Sequence, residues 1–275
     1  MIKTHDASSV TKMYDAGRIA ALTLDKVEEY LKLDPYRKTI DIEKLCEDSI
    51  RSHGGIPECI GYRGRHATPY PYASCISVND VACHGFPSDY VLQDGDILNV
   101  DIVVRYNGWL ADTSRSFGVG NITKADAELL RIAKQSMYEG MKAVKIWRQF
   151  NVIGAAIEAY CEKQTADGEP VCILRDYLGH GISKRMHEQP LVEHVRNRCP
   201  ELLRPYLYFT IEPIIALGTN IRTYMDDNQW AVKMVSGKRA AQFEHTMGLN
   251  DKGELMVFTT RDKEHEHQVL AELNL

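Results

Sequence analysis

Residues 99–118 read NVDIVVRYNGWLADTSRSFG. Asn107-Gly108 is a strong two-residue turn signal, because a type I′ turn needs positive φ at both central positions and these residues tolerate it. β-branched and aromatic residues flank the pair on both sides, so the stretch is expected to form a β-hairpin. With a two-residue turn Tyr106 faces Trp109, and counting outward puts Asp101 opposite Ser114 and Asp112 opposite Val103. The two aspartates are then diagonal neighbours on one face, roughly 7–8 Å apart at the backbone, and can converge on whatever lies between them. Solvated aspartates on an exposed face are the plain alternative. Val100, Ile102, Val103, Val104, Trp109 and Leu110 argue against it, since they make both faces apolar. Two partly buried like charges require a cation, a shared proton or an arginine, and the hairpin alone leaves all three open.

The chain around this hairpin has 275 residues, 44% hydrophobic and 26% charged, with a net charge of −5. That is an ordinary globular balance, without the basic surplus that nucleic acid or an anionic membrane would attract. The N-terminal segment has no uninterrupted apolar core, no stretch approaches a membrane span, and the seven cysteines stand singly with no CxxC. A cytoplasmic protein with reduced thiols is expected.

Val10, Met13, Gly17, Ala20, Leu24, Val27 and Leu31 repeat at helical spacing after Ser8 and Ser9, which can cap, and Pro35 lies beyond the end. A second helix is expected from the capping Asp41 through Ile42, Leu45 and Ile50 to Gly54-Gly55. From Thr123 the pattern restarts, with one helix through Leu130, Ala133, Met137 and Val144 and another over about 152–165. Strand-like runs follow: VCILRDY, LYFTIEP, WAVKMV and AQFEHTMGL. Helices precede strands in both halves, about 1–120 and 121–275, which suggests a single α+β domain whose halves each lay two helices on antiparallel strands.

Acidic residues recur inside apolar strand runs, at Asp101, Asp112, Glu212 and Glu244, and GHGISKRMHEQP adds His180 and His187. Each is weak alone, since a lone histidine or strand glutamate is more often structural. Four carboxylates in one core would repel strongly. Two divalent ions would neutralise them, and an imidazole would complete an oxygen-rich set suited to manganese, iron, cobalt or zinc.

The succession CISVNDVACHGFP, NVDIVV with WLADTSRSF, LGHGISKRMHEQP, FTIEP and AQFEHT resembles the type I methionine aminopeptidases in order and spacing over nearly the whole chain. The resemblance implies a dinuclear site in a duplicated "pita-bread" fold that removes the initiator methionine from nascent polypeptides and prefers small second residues. It implies the ligands Asp101, Asp112, His180, Glu212 and Glu244, with Asp112 and Glu244 bridging two metals. It places His84 and His187 on the substrate, and Cys59, Tyr62, Tyr70, Cys75, Met186 and Trp230 around the methionine side chain. A monovalent cation near Asn79, a monomeric state and contact with the ribosome come with it. Three departures stand out: a longer loop between Tyr62 and Cys75, Ser183 to Met186 in place of a glycine-richer segment with an aromatic before the second histidine, and Ala240 where serine is common.

Metal-assisted hydrolysis needs no serine or cysteine nucleophile, so Cys83 beside His84 is expected to be structural. Glu212 is the candidate proton shuttle, His187 the hydrogen-bond donor to the scissile carbonyl, and His84 the group that orients the scissile amide. The alternatives are a proline-directed peptidase of the same fold, for which the chain has no room for the usual extra domain, and a non-catalytic relative that binds nascent chains or ribosomes, which retention of all five ligands opposes.

Overall fold

Helix α1 (Val10–Leu33) forms where the apolar spacing asks for it, and Met13, Ala16, Gly17, Ala20, Leu24, Val27 and Leu31 are all buried. This is the computed structural model of the chain, and it describes residues 2–64 and 67–274. Arg65 and His66, in the longer loop noted above, lie outside the described residues. After α1 come α2 (Thr39–Ser52), the short strands β1 (Ile56–Pro57), β2 (Ser74–Val78) and β3 (Val81–Cys83), and the hairpin arms β4 (Ile97–Tyr106) and β5 (Trp109–Gly118). Asn107 and Gly108 have φ of 48° and 79°, so the turn takes the left-handed conformation at both positions. Tyr106 pairs with Trp109, Asp101 with Ser114 and Val103 with Asp112, the register counted from the sequence.

That register gives β4 two different faces. Leu98, Val100, Ile102 and Val104 pack under α1 and α2 with Ala20, Leu24, Val27, Ile42, Cys46 and Ile50. Asn99, Asp101 and Val103 alternate with them and point the other way. Strands β1 and β2 pair with successive stretches of β4, and β5 also pairs with β4. Gly17 lets α1 approach the chain closely, since a Cβ there would lie 2.1 Å from the Phe258 carbonyl oxygen.

The second half runs α3 (Lys124–Lys142), α4 (Asn151–Cys161), β6 (Thr165–Ala166), β7 (Glu169–Ile173), β8 (Gly179–Gly181), β9 (Glu188–Val192), β10 (Tyr208–Ile211) and β11 (Ile214–Leu217). It continues through β12 (Thr223–Met225), β13 (Val232–Met234), β14 (Ala240–Gln242), β15 (His245–Leu249), β16 (Leu255–Val257) and α5 (Lys263–Glu272). These strands form antiparallel ladders ordered β16-β15-β10-β8-β9 and β14-β11-β7-β6, and α3 and α4 share a core with them. Strand β3 from the first half joins β13. More cross-half bonds run where β5 meets Glu244 and the start of β15: Asp112 N–H donates to Thr246 Oγ1 at 2.9 Å, Glu244 N–H to the Ser114 carbonyl at 3.1 Å, and Thr113 Oγ1–H to the Glu244 carbonyl at 2.7 Å.

Several local expectations shift. Ser8 and Ser9 lie in a 3₁₀ turn capped by Asp6, whose Oδ1 accepts from Ser8 N–H at 2.9 Å, and Ser9 makes no side-chain cap for α1. Helix α2 starts at Thr39, so Asp41 sits in its first turn, where a carboxylate favours the helix dipole without capping it. Helix α4 ends at Cys161, short of Thr165. The run AQFEHTMGL breaks at Phe243-Glu244 into two strands that pair with different partners. Helix α5, KEHEHQVLAE, carries no helical signal in the sequence, because it buries little more than Val269 and Glu266 and shows almost no apolar period.

Candidate active site

One cavity of about 490 Å³ is lined by residues from both halves. At its acidic end, Asp101 comes from β4 and Asp112 from β5, while His180 comes from β8, Glu212 from the end of β10, and Glu244 from the break between β14 and β15. Asp112, His180 and Glu244 are 6%, 4% and 2% exposed. Each of these three offers a ligand atom within 4.8 Å of the other two. Nε2 of His180 lies 3.7 Å from Asp112 Oδ2 and 3.5 Å from Glu212 Oε1. Among the neighbouring carboxylates Asp101 acts most strongly on Asp112 and Asp112 most strongly on Glu244, which makes Asp112 the most shared member of the acidic row.

The electrostatics of this row are unbalanced. Burial, followed by the neighbouring carboxylates, pushes Asp112 and Glu244 well above the ordinary range. Burial also lifts Asp101 to about 6 and Glu212 to about 8. Asp101 Oδ1, Asp112 Oδ1 and Glu244 Oε1 are buried without a hydrogen-bond partner, a state that costs free energy unless something satisfies it. Burial holds His180 neutral, down to about 3. Its Nδ1–H donates to the Gly181 carbonyl at 3.1 Å, which leaves the Nε2 lone pair facing the carboxylates. Four carboxylates and one imidazole acceptor, with orphaned oxygens converging, fit divalent cations of the manganese, iron, cobalt or zinc type.

Glu212 is held by groups outside the candidate ligand and substrate residues. Thr210 Oγ1–H donates to its Oε1 at 2.7 Å and Gln242 Nε2–H to its Oε2 at 3.2 Å, while its own N–H donates to His194 Nε2 at 3.1 Å. Gln242 stands two residues before Glu244 and His194 seven after His187, so proximity to the motifs was the available signal.

The other end of the cavity is aromatic and sulfur-rich. Cys59, Tyr70, Cys75, Met186 and Trp230 form one buried cluster with Val103, Leu110 and Ile182, and Tyr62 packs against it. The Tyr70 and Trp230 rings meet edge to face at 5.1 Å. Tyr70 lines the cavity, whereas Tyr72 packs behind it against Phe86. His187 and His84 stand between the two ends. The His187 ring centroid is 4.2 Å from that of His180, and its Nδ1 lies 2.5 Å from the Tyr62 hydroxyl. His84 has φ of 54°, rare for a residue other than glycine, and its ring lines the cavity 6.2 Å from Trp230. Cys83 Sγ lies 3.8 Å from His84 Nδ1, and burial holds its thiol well above the ordinary range. Asn79, with φ of 57°, is tied into the fold away from this cavity: its carbonyl accepts from Ala240 N–H at 3.0 Å and its Nδ2–H donates to Asp96 Oδ1 at 2.7 Å.

A metal-ready row of carboxylates beside an apolar pocket, carried on antiparallel strands covered by helices, is the arrangement of a metallopeptidase. The chain belongs to metallopeptidase family M24, whose model matches residues 11–251. It has the α+β pita-bread fold of that family, with helices covering antiparallel strands. It is similar to the methionine aminopeptidase of Rickettsia prowazekii, 34% identical over 97% of this chain and 98% of that protein. The crystal structure of that relative superposes with a TM-score of 0.86 over 94% of this chain and all of the other. The methionine aminopeptidase of Escherichia coli strain K12 is 39% identical over 92% of this chain and 91% of its own length. An X-Pro aminopeptidase from Thermotoga maritima shares the fold at 19% identity and a TM-score of 0.68, and this chain covers 62% of it. No helix among the described residues is long and apolar enough to cross a membrane.

Proposed function

We propose that this chain is a type I methionine aminopeptidase, a metallo-exopeptidase that removes the initiator methionine from nascent polypeptides with small second residues. The observation that carries the reading is that four carboxylates and His180 share one cavity with an apolar, aromatic and sulfur-rich pocket. Asp101, Asp112, His180, Glu212 and Glu244 would hold two divalent ions. Such ions, when bound, supply a nucleophile from water at neutral pH and polarise the scissile carbonyl.

The chain's own residues do the rest. Cys59, Tyr62, Tyr70, Cys75, Met186 and Trp230 take the unbranched methionine side chain. His84 orients the scissile amide. With the Tyr62 hydroxyl donating to His187 Nδ1, the ring proton sits on Nε2, where His187 can donate to the carbonyl oxygen as charge develops there. Glu212 receives a proton at a carboxylate oxygen and passes it to the leaving amine. We read residues 1–275 as one catalytic domain, because the acidic row draws ligands from both halves. The same reading makes the substrate a nascent N-terminus met at the ribosome and the enzyme a monomer of the cytoplasm, where the unpaired cysteines stay reduced. It also includes a monovalent cation near Asn79, whose carbonyl has one lone pair left after Ala240.

The test is hydrolysis of Met-Ala-Ser by chelated protein before and after return of manganese, cobalt or ferrous iron. Turnover should vanish and reappear, norleucine should substitute for methionine, and alanine or lysine should not. Better cleavage of Xaa-Pro peptides than of Met-Ala-Ser would replace the methionine assignment with a proline-directed one, and metal binding without any cleavage would favour a non-catalytic relative.

A further inference from the structure

The wall that carries Tyr70 and Cys75 is gripped by a buried carboxylate that does not line the cavity. Glu43, on α2, is 4% exposed. Its Oε1 accepts from the Ala73 N–H at 2.5 Å, and its Oε2 accepts from the Ser74 N–H at 2.9 Å and from the Ser74 hydroxyl. One side chain thus fixes two successive backbone amides at the entry to β2. Tyr70 is tied to the same point, because its hydroxyl donates to the Ser74 carbonyl at 3.1 Å and to the Gly85 carbonyl at 2.8 Å. Cys75 follows directly and pairs with Asp101 across the sheet.

A buried carboxylate is a costly way to satisfy two amides, and burial does push this carboxyl up while the Ser74 and Ala73 donors pull it down. A carboxylate offers what the neutral side chain of the same size cannot. Both of its oxygens accept, whereas an amide would turn one NH₂ against a backbone N–H, donor against donor. The arrangement therefore fixes a backbone position, beyond filling space.

We propose that Glu43 is a positioning residue for methionine selectivity: through the Ala73 and Ser74 amides it sets the backbone that presents Tyr70 and Cys75 to the substrate side chain. This rests on reading the aromatic end of the cavity as the methionine pocket. Glu43→Gln is expected to raise KM for Met-Ala-Ser roughly tenfold, the equivalent of about 1.4 kcal/mol of binding. It should lower the kcat/KM ratio of Met-Ala-Ser over Leu-Ala-Ser while kcat and bound metal stay near the parent. Ser74→Ala, which leaves both amides in place, should largely keep the parent ratio. A parent-like KM and ratio in Glu43→Gln would overturn the proposal, and so would a loss confined to kcat with loss of metal. If Glu43→Gln does not fold, amide exchange in the parent decides: slow exchange at Ala73 and Ser74 supports the clamp and rapid exchange refutes it. A parent that fails to cleave Met-Ala-Ser would refute the methionine reading instead, while the exchange measurement would still report on the clamp.

Discussion

The two ends of the cavity are built on opposite principles. At the aromatic end, Cys59, Tyr70, Cys75, Met186 and Trp230 bury one another, the Tyr70 hydroxyl has two carbonyl acceptors, and Trp230 Nε1–H donates to the Thr68 carbonyl. Nothing more is needed for that end to be stable. At the acidic end, each of Asp101, Asp112 and Glu244 leaves a buried oxygen unpaired, and burial with the neighbouring carboxylates raises the proton affinity of Asp112 and Glu244. Packing completes the first region, whereas the second is completed by positive charge from outside the chain. Substitutions should therefore act as a switch at the acidic end and as a graded adjustment at the aromatic end.

The largest effect is expected where the charge is most shared. Asp112→Asn removes one negative charge from the row, and turnover of Met-Ala-Ser should fall to background together with metal content. Normal metal content and rate in this variant would end its assignment as a metal ligand. Next come the histidines that join the ends. His84→Ala and His187→Ala should each lower kcat by roughly 10²–10³-fold, the scale of losing one preorganised donor, while bound metal stays near the parent level. Metal loss in the His187 variant would move that residue into the ligand row, and an unchanged rate would make it structural.

Without metal, the acidic end should show itself in stability. Asp101 and Glu212, lifted by burial to about 6 and about 8, bind protons more tightly folded than unfolded, where carboxyls titrate near 4. Between about pH 4 and 8 these two carboxyls hold more protons folded than unfolded, so their contribution to the stability of the metal-free protein is lost as pH rises through that window, whereas the buried His180, His194 and His245 act in the opposite sense only below their ordinary value of 6.5. The difference in Tm between metal-loaded and metal-free protein should widen from pH 5 to pH 8; a constant or narrowing gap would contradict the charge argument. The smallest effect belongs to the aromatic end. Met186 is a flexible thioether in the buried cluster, and Met186→Phe should sharpen the kcat/KM preference for Met-Ala-Ser over Leu-Ala-Ser without abolishing activity. An unchanged ratio would remove Met186 from the pocket.

What the sequence made legible was local chemistry. Asn107-Gly108 and the alternation around it give the hairpin register, and with it the diagonal placement of Asp101 and Asp112. Helices α1 and α3 announce themselves by apolar spacing, whereas α5 does not, since its exposed face dominates its composition. The contacts that were not legible join distant residues through polar groups with no periodic signal. Tyr62 meets His187 across 125 positions, Glu43 meets Ser74 across 31, and Gln242 reaches Glu212 across 30. The break at Phe243-Glu244 was hidden for a related reason: a run that reads as one strand is split because Glu244 bonds to Ser114 on the opposite half.

Stoichiometric metal titration of the chelated protein, read together with Met-Ala-Ser turnover at each step, tests the central claim most directly. Two divalent ions per chain are expected, with activity rising from background as they bind and no such uptake in Asp112→Asn. Full turnover in protein shown by elemental analysis to be metal-free would contradict it.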